Sequence, residues 1–377
     1  MSGLYLHIPF CKTRCAYCDF HTGVQPALKQ RLVNALCSEL NSRLGELNGD
    51  PLQTIYFGGG TPSLLNEDEF EQLFKVIENQ CDISFCKEIT LEANPDDVTE
   101  TYVEMLGNFP FNRLSVGVQS FNDEELRLLK RRHTAGEAVD AIERCRQRFS
   151  NISIDLMYGL PEQQISAWEH TISVALSLNI KHVSAYHLTY EERTLMGKWL
   201  RDKRIRPASE EASVAMYRLL VDTLHEKGIE QYELSNFALP GYASQHNSAY
   251  WEGTAYLGVG PSAHSYNGKS RRWNVAHTLH YIEGIERNSP MCEQEVLSEN
   301  DFYNELLITS LRTLKGLSLI QVAQQFGNER KEKLVAQCMP YISNGIMQSD
   351  GCRLHFTTDG LFISDGILAN LMISNFN

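Results

Sequence analysis

The sequence runs to 377 residues, 42% apolar and 21% charged, with 34 basic against 47 acidic side chains and a net charge of −13. That length exceeds one ordinary core, so a large domain with a smaller companion is expected, with the composition of a soluble globular chain. The acidic balance repels polyanions and sets nucleic acid aside as a partner; the run Arg131, Arg132, His133 comes nearest to a basic patch, and short runs of this kind are usually solvated surface.

At the N-terminus, Met1-Ser2-Gly3-Leu4-Tyr5 has no basic segment leading into an apolar one. No stretch reaches the ~20 apolar residues that span a bilayer. A cytoplasmic protein is therefore expected. In that reducing compartment the ten cysteines are ligands or buried thiols rather than disulfides. Cys37, Cys81, Cys86, Cys145, Cys292, Cys338 and Cys352 stand at uninformative spacings and read as buried structural thiols.

In chain order, β-branched and aromatic runs predict strands at Leu4–Ile8, Gln53–Phe57, Glu88–Glu92, Arg113–Val118, Ser153–Met157 and His182–His187. Helical signatures lie between them. Asn66 and Glu69 suit a capping box ahead of the stripe Phe70, Leu73, Phe74, Ile77, and Asn122 with Glu125 repeats the pattern. Ile165, Trp168, Ile172 and Leu176 form another apolar stripe. Strand and helix alternating six times predicts a parallel sheet with crossover helices, either open or a partial barrel, with the active face at the strand C-termini. A helix near Ser209–Lys227 precedes a turn-rich stretch from Gln231 to Trp273. Helices at Phe302–Thr313, Leu319–Phe326 and one ending near Ile342 then lead to short runs at Ile346–Gln348, Arg353–Thr357 and Gly360–Ile363, in the manner of a winged helix.

The most informative stretch is Cys11-Lys-Thr-Arg-Cys15-Ala-Tyr-Cys18. Thiolates are the natural ligands of iron–sulfur clusters, and this spacing lets one loop wrap one cluster. Three thiolates on a four-iron cluster leave one iron open to an external ligand. A zinc site completed by His7 or His21 is the alternative. The loop resembles the signature of the radical S-adenosylmethionine (SAM) superfamily, with the aromatic Tyr17 before the last cysteine. Its flank, Leu4 to Cys11, is similar to the start of the oxygen-independent coproporphyrinogen oxidase family.

That resemblance implies an α/β fold with a partial (β/α)6 radical-SAM barrel and a small C-terminal α+β, winged-helix-like domain. The implied divisions are a core over 1–205, a family-specific extension over 206–299 and the small domain over 300–377. It also implies a [4Fe–4S] cluster on Cys11, Cys15 and Cys18 that chelates SAM and passes it one electron. Gly59, Gly60 and Thr61, in Gly-Gly-Gly-Thr after the second strand, would meet SAM's methionine amino group. Glu92, Gln119 and Asp155 at strand ends would accept from its ribose and amino groups or donate to them. Arg131 would fork its carboxylate, with Arg132 as the neighbouring alternative. Tyr5 and Tyr17 beside the cluster complete the SAM set.

Two branches of that family differ. The oxidases carry a further cysteine where this chain has Phe20, and an extension ahead of a motif that lies near the start of this chain. The heme-chaperone branch carries a His-Asn-x-x-Tyr-Trp motif, present here as His246-Asn247-Ser248-Ala249-Tyr250-Trp251. An imidazole is a standard axial ligand of heme iron and the two aromatics offer flat apolar surface, so His246 is the candidate heme ligand. A hydrogen-bonded loop role is its alternative, and His264, His187 or a cysteine stay open as heme contacts. The resemblance implies heme as cargo and acceptor hemoproteins as partners, with transient membrane association and a homodimer left open. The enzyme alternative is coproporphyrinogen III dehydrogenation, and an RNA-modifying radical SAM enzyme is disfavoured by charge.

Overall fold

A computed structural model describes residues 2–47 and 51–373. Its centre is six parallel strands in sequence order: β1 (Ser2–Ile8), β2 (Leu52–Gly59), β3 (Glu88–Ala93), β4 (Arg113–Gln119), β5 (Ile152–Tyr158) and β6 (His182–His187). All six lie where the β-branched runs place them. Each crossover is helical, and the strands are buried on both faces, as parallel sheets require. The helix Glu67–Gln80 starts at a complete capping box between Asn66 and Glu69 and buries Phe70, Leu73, Phe74 and Ile77. Asn122 also caps its helix, but no box closes, because Glu125 turns inward to accept from Ser120 and Gln163. Along Ile165–Ser177 the buried face is Trp168, Thr171, Ile172 and Ala175, whereas Ile165, in the first turn, is 46% exposed.

The stretch expected to be turn-rich contributes to the same sheet. β7 (Glu230–Gln231) and β8 (Asn236–Ala238) extend it antiparallel beyond β6. β9 (Tyr256–Val259) adds to β1 in parallel, followed by β10 (His264–Tyr266), β11 (Ser270–Asn274) and β12 (Cys292–Val296) in antiparallel order. These strands are two to five residues long, too short for side-chain alternation to announce them. A buried carboxylate fastens the β9–β11 side: Glu39 accepts from Arg43, Asn274, the Gly260 amide and Tyr281 at 2.6–2.9 Å.

Beyond Ser298, a second apolar cluster runs from Tyr303 to Leu371, separate from the main one. Helices Glu299–Leu311, Leu319–Phe326 and Asn328–Ser343 pack on a small antiparallel sheet of β13 (Leu317–Ser318), β14 (Met347–Ser349) and β15 (Arg353–Phe356). Gly360–Ile363, expected as a third extended run, lies instead where the helix Thr358–Phe362 forms; Thr357 caps it through the Gly360 amide. The scattered cysteines also differ from expectation. Cys145 and Cys338 are buried, Cys37, Cys81 and Cys86 half-buried, and Cys292 and Cys352 exposed, because β12 is a solvated edge and Cys352 lies in a turn.

Trp168 is the largest fully buried side chain, and its Nε1 donates to the Met216 carbonyl at 3.0 Å. Trp168→Ala is expected to cost about 3–5 kcal/mol, read as a lower denaturant midpoint with an unchanged slope.

Candidate functional site

The cysteine loop leaves the C-terminal end of β1 and is tied down by backbone contacts. Cys11 N donates to Gly23 O at 3.0 Å, and Gly23 N to Pro9 O at 2.7 Å. Ala16 bonds to Leu129 O and receives Met196 N, which seats it in an apolar cluster with Leu129, Leu160 and Met196; Tyr17 packs against that cluster. Burial pushes the Cys11 and Cys18 thiols up, and mutual proximity of the three sulfurs adds to the shift.

Among the described residues no three His, Cys, Asp or Glu side chains converge on a single ion. Three half-buried thiols on one short loop suit an iron–sulfur group. Nor is His7 free to complete a zinc site: its Nδ1 accepts from Tyr5 at 3.0 Å and its Nε2 donates to the His21 carbonyl at 3.0 Å.

Around the loop a hydrogen-bonded circuit joins two of the cysteines. Thr61 Oγ1 donates to Cys11 Sγ at 3.5 Å and accepts from Asn94 Nδ2 at 3.0 Å. Asn94 Oδ1 in turn accepts from Arg131, whose other guanidinium nitrogen donates to Cys15 Sγ at 3.4 Å. Arg131 also donates to the Gly117 carbonyl, and its Nε is buried without a partner among the described residues. Arg132 turns outward to Asp96 and Asp97. Of the two, Arg131 is the one that points inward. Asn94 was not singled out from the sequence; only the fold shows that it bridges Thr61 and Arg131.

Gly59 and Gly60 end β2 against this loop. Gly59 has φ +113°, and a Cβ there would lie 2.7 Å from the His7 ring. At Gly60 a Cβ would lie 2.7 Å from the Phe10 carbonyl oxygen and 2.9 Å from the Pro9 carbonyl carbon. Both positions therefore need glycine for the approach of β2 to the cysteine loop, before any ligand is considered.

Glu92 accepts from Tyr56 OH at 2.8 Å and from the Gly59 amide at 3.1 Å. Burial, partly offset by the Tyr56 hydrogen bond and reinforced by Asp155, raises its carboxyl to about 7. Asp155 accepts from Ser115 at 3.2 Å, and burial, opposed by Arg113, raises it to about 6. Gln119 is buried with φ +71°, in the left-handed region that non-glycine residues avoid. Tyr5 stacks on Tyr56 with ring centroids 6.1 Å apart. The structure thus brings Tyr5, Gly59, Gly60, Thr61, Glu92, Gln119, Arg131 and Asp155 to the strands and strand ends around the cysteine loop.

His246 adjoins these residues, its ring 6.4 Å from that of Tyr5. It sits on the helix Gln245–Trp251, whose first turn is held by the buried Glu88 carboxylate through Ser244 and the amides of Gln245 and His246. Its Nδ1 bonds Thr54 Oγ1 and its Nε2 bonds Tyr250 OH, both at 2.8 Å, and the ring stacks on Tyr56 at 5.0 Å. Burial lowers its pKa to about 3. An axial ligand needs a nitrogen lone pair facing open space, and neither nitrogen has one. In this structure the candidate heme ligand braces β2 against Tyr250. Tyr250 and Trp251 of the same motif do face open space, along a cavity of about 1390 Å3. His264 and His187 are absent from its lining: His264 stacks on Trp273, and His187 bonds Ser213.

Comparison with known proteins matches residues 5–175 to the radical SAM superfamily and residues 297–363 to the HemN C-terminal domain. Heme chaperone HemW of Lactococcus lactis is 33% identical, covering 100% of this chain and 98% of that protein. HemW of Bacillus subtilis is also 33% identical, covering 97% and 98%. A bovine mitochondrial radical SAM domain-containing protein 1 is 30% identical, covering 98% and 87%. In fold, the chain superposes on coproporphyrinogen III oxidase HemN of Escherichia coli with a TM-score of 0.84 at 23% identity, over 98% of this chain and 90% of that one. The six parallel strands, the cysteine loop at their C-terminal edge and full-length relatives above 30% identity agree: the chain belongs to the radical SAM superfamily and, within it, to the heme chaperone HemW family.

Proposed function

We propose that this chain binds heme and transfers it to acceptor hemoproteins, while carrying a [4Fe–4S] cluster that chelates SAM. The observation that carries the reading is similarity along the whole length to proteins named heme chaperones. Supporting it, Phe20 stands 70% exposed where the oxidase branch has a further cysteine. Cys11, Cys15 and Cys18 would hold the cluster, which when bound would supply an electron to the sulfonium of SAM. Thr61, Asn94 and Arg131 orient two of those sulfurs. Tyr5, Tyr17, Gly59, Gly60, Glu92, Gln119 and Asp155 form the SAM pocket, with Arg131 shared between pocket and loop. We place the protein in the cytoplasm, with membrane contact limited to transient docking; among the described residues no helix is long and apolar enough to cross a membrane. A homodimer and the 1–205, 206–299 and 300–377 divisions belong to the same reading.

Anaerobically reconstituted protein incubated with SAM and coproporphyrinogen is expected to leave the porphyrinogen unconsumed. Heme loaded on the chain is expected to move to an apo-hemoprotein such as apomyoglobin. Porphyrinogen turnover would reject the chaperone reading in favour of the dehydrogenase.

The carboxyls of the SAM pocket give a pH signature. In the free pocket Glu92 and Asp155 hold protons up to about 7 and 6. The amino and hydroxyl donors of SAM bind the deprotonated carboxylates, so affinity rises with pH through that window and levels above 7. For Glu92 alone the slope approaches about tenfold per unit below its pKa. Glu92→Gln is expected to weaken binding at pH 8 and to flatten the rise between pH 6 and 7; calorimetry at several pH values checks both.

A further inference from the structure

The cavity of about 1390 Å3 lies between the motif helix Gln245–Trp251 and the helices Glu299–Leu311 and Leu319–Phe326. It is larger than the roughly 300–1,000 Å3 that serve ordinary small molecules. Its walls carry Tyr250, Trp251, Tyr256, Tyr266, Phe302 and Phe326. Tyr250 meets Tyr256 edge-on at 4.6 Å, and Tyr256 lies 6.4 Å from Tyr266, so one wall is a run of rings. The Trp251 indole N–H and the Arg271 Nε are buried without a hydrogen-bond partner among the described residues. Buried donors left unpaired in a native fold call for a partner the chain itself does not supply.

Cations reach the same cleft. Arg271 lines it and meets Glu305 at 2.8 Å. Lys315 and Arg353 line it as well, and neither pairs with a carboxylate among the described residues; Arg353 Nη1 donates only to the Lys315 and Gly316 carbonyls. The lining also carries Glu252, Glu299 and Glu305, but Glu299 pairs with Arg330 and Glu305 with Arg271, which leaves Lys315 and Arg353 beside the aromatic walls without an ion pair among the described residues. Broad apolar faces with cations to one side match a flat aromatic ligand that ends in carboxylates.

We infer that this cleft holds the cargo: a planar macrocycle with its faces against the aromatic walls and its two carboxylates on Lys315 and Arg353. The inference rests on the heme-binding reading above and gives it a place formed jointly by the motif helix and the C-terminal helices. It also bears on the metal. No histidine, cysteine or methionine lines the cleft among the described residues, whereas four tyrosines do. Tyrosine oxygen is an established axial ligand of ferric heme. The hydroxyls of Tyr256 and Tyr266 make no hydrogen bond within the described residues; burial and Glu305 raise the Tyr266 phenol, and the Arg271 guanidinium, 5.9 Å from its ring centroid, offsets part of that rise. Ferric iron is bound through one of these two oxygens, and the phenol proton is released to solvent.

Ferric heme and its dimethyl ester, which lacks the carboxylate charge, are titrated into the anaerobically reconstituted full chain and into the double variant Lys315→Glu, Arg353→Glu. Wild type is expected to prefer heme over the ester by about tenfold or more. The double variant should bind heme weaker by a similar factor while its ester affinity stays within about threefold. A Tyr256→Phe, Tyr266→Phe variant should lose the phenolate-to-iron charge-transfer band. Equal affinity of wild type for heme and ester, or unchanged heme affinity in the charge-reversed variant, overturns the cleft and leaves heme binding standing. Failure of wild type to bind heme at all sinks both. Circular dichroism and iron content confirm that each variant has folded.

Discussion

Cys15→Ala will leave anaerobically purified protein with about a tenth or less of the wild-type iron and sulfide, and with no measurable SAM binding. Three thiolates are the smallest set the loop offers, so loss of one leaves two iron positions without protein ligands. Cys15 is also where the circuit through Arg131, Asn94 and Thr61 returns to the loop. Arg131 then faces its charge into a pocket without a thiolate, and its Nε is already unpaired. Thr61→Val serves as the graded control. It removes the 3.5 Å hydrogen bond to Cys11 and the one accepted from Asn94 but keeps all three thiolates, so the cluster should assemble while its reduction potential falls, because hydrogen bonds to sulfur stabilise the reduced state. Cys292→Ala, on an exposed edge strand, should change neither quantity. Full iron content in Cys15→Ala would dismantle the ligand assignment.

His246→Ala is expected to lower stability by about 2–4 kcal/mol. The ring is buried, both nitrogens are bonded, and its removal leaves a void beside Tyr56 and unpaired hydroxyls on Thr54 and Tyr250. Heme that still binds should give the wild-type Soret band, since the imidazole is enclosed rather than offered to an iron; a shifted band would restore it as the ligand. The pH response is a second readout. The unfolded chain protonates this imidazole near its ordinary value of 6.5, and the folded chain only near 3. Between those values the unfolded state binds more protons, so stability is complete above about 6.5 and is lost as pH falls toward 3. The alanine variant should show a shallower acid slope, by up to about 1.4 kcal/mol per pH unit. His7 and His133, both lowered to about 4 by burial, keep part of the slope.

Much of the site is legible along the chain because its parts are local. The cysteine loop is eight residues, and the glycine run, Glu92, Gln119 and Asp155 each lie on a long buried strand or at its end. Six strands of six to eight residues carry enough apolar sequence to be placed without a partner in view. The short strands β7 to β11 do not, because two to five residues hold too little pattern and their pairing depends on neighbours far along the chain.

His246 shows the same division at a single residue. Composition makes its imidazole a fair ligand, and only the approach of Thr54 from β2 and of Tyr250 one helical turn on reveals that both nitrogens are taken. The cleft goes further: Tyr250, Phe302 and Arg353 are separated by as much as 103 residues (353 − 250), so no motif joins them. Sequence alone determined the six-stranded core and the cysteine loop with the strand-end residues proposed to bind SAM, because those depend on period and spacing over short stretches. Tertiary structure decided the direction of Arg131, the bracing role of His246 and the cationic aromatic cleft, because each is set by which distant side chain occupies the adjoining space.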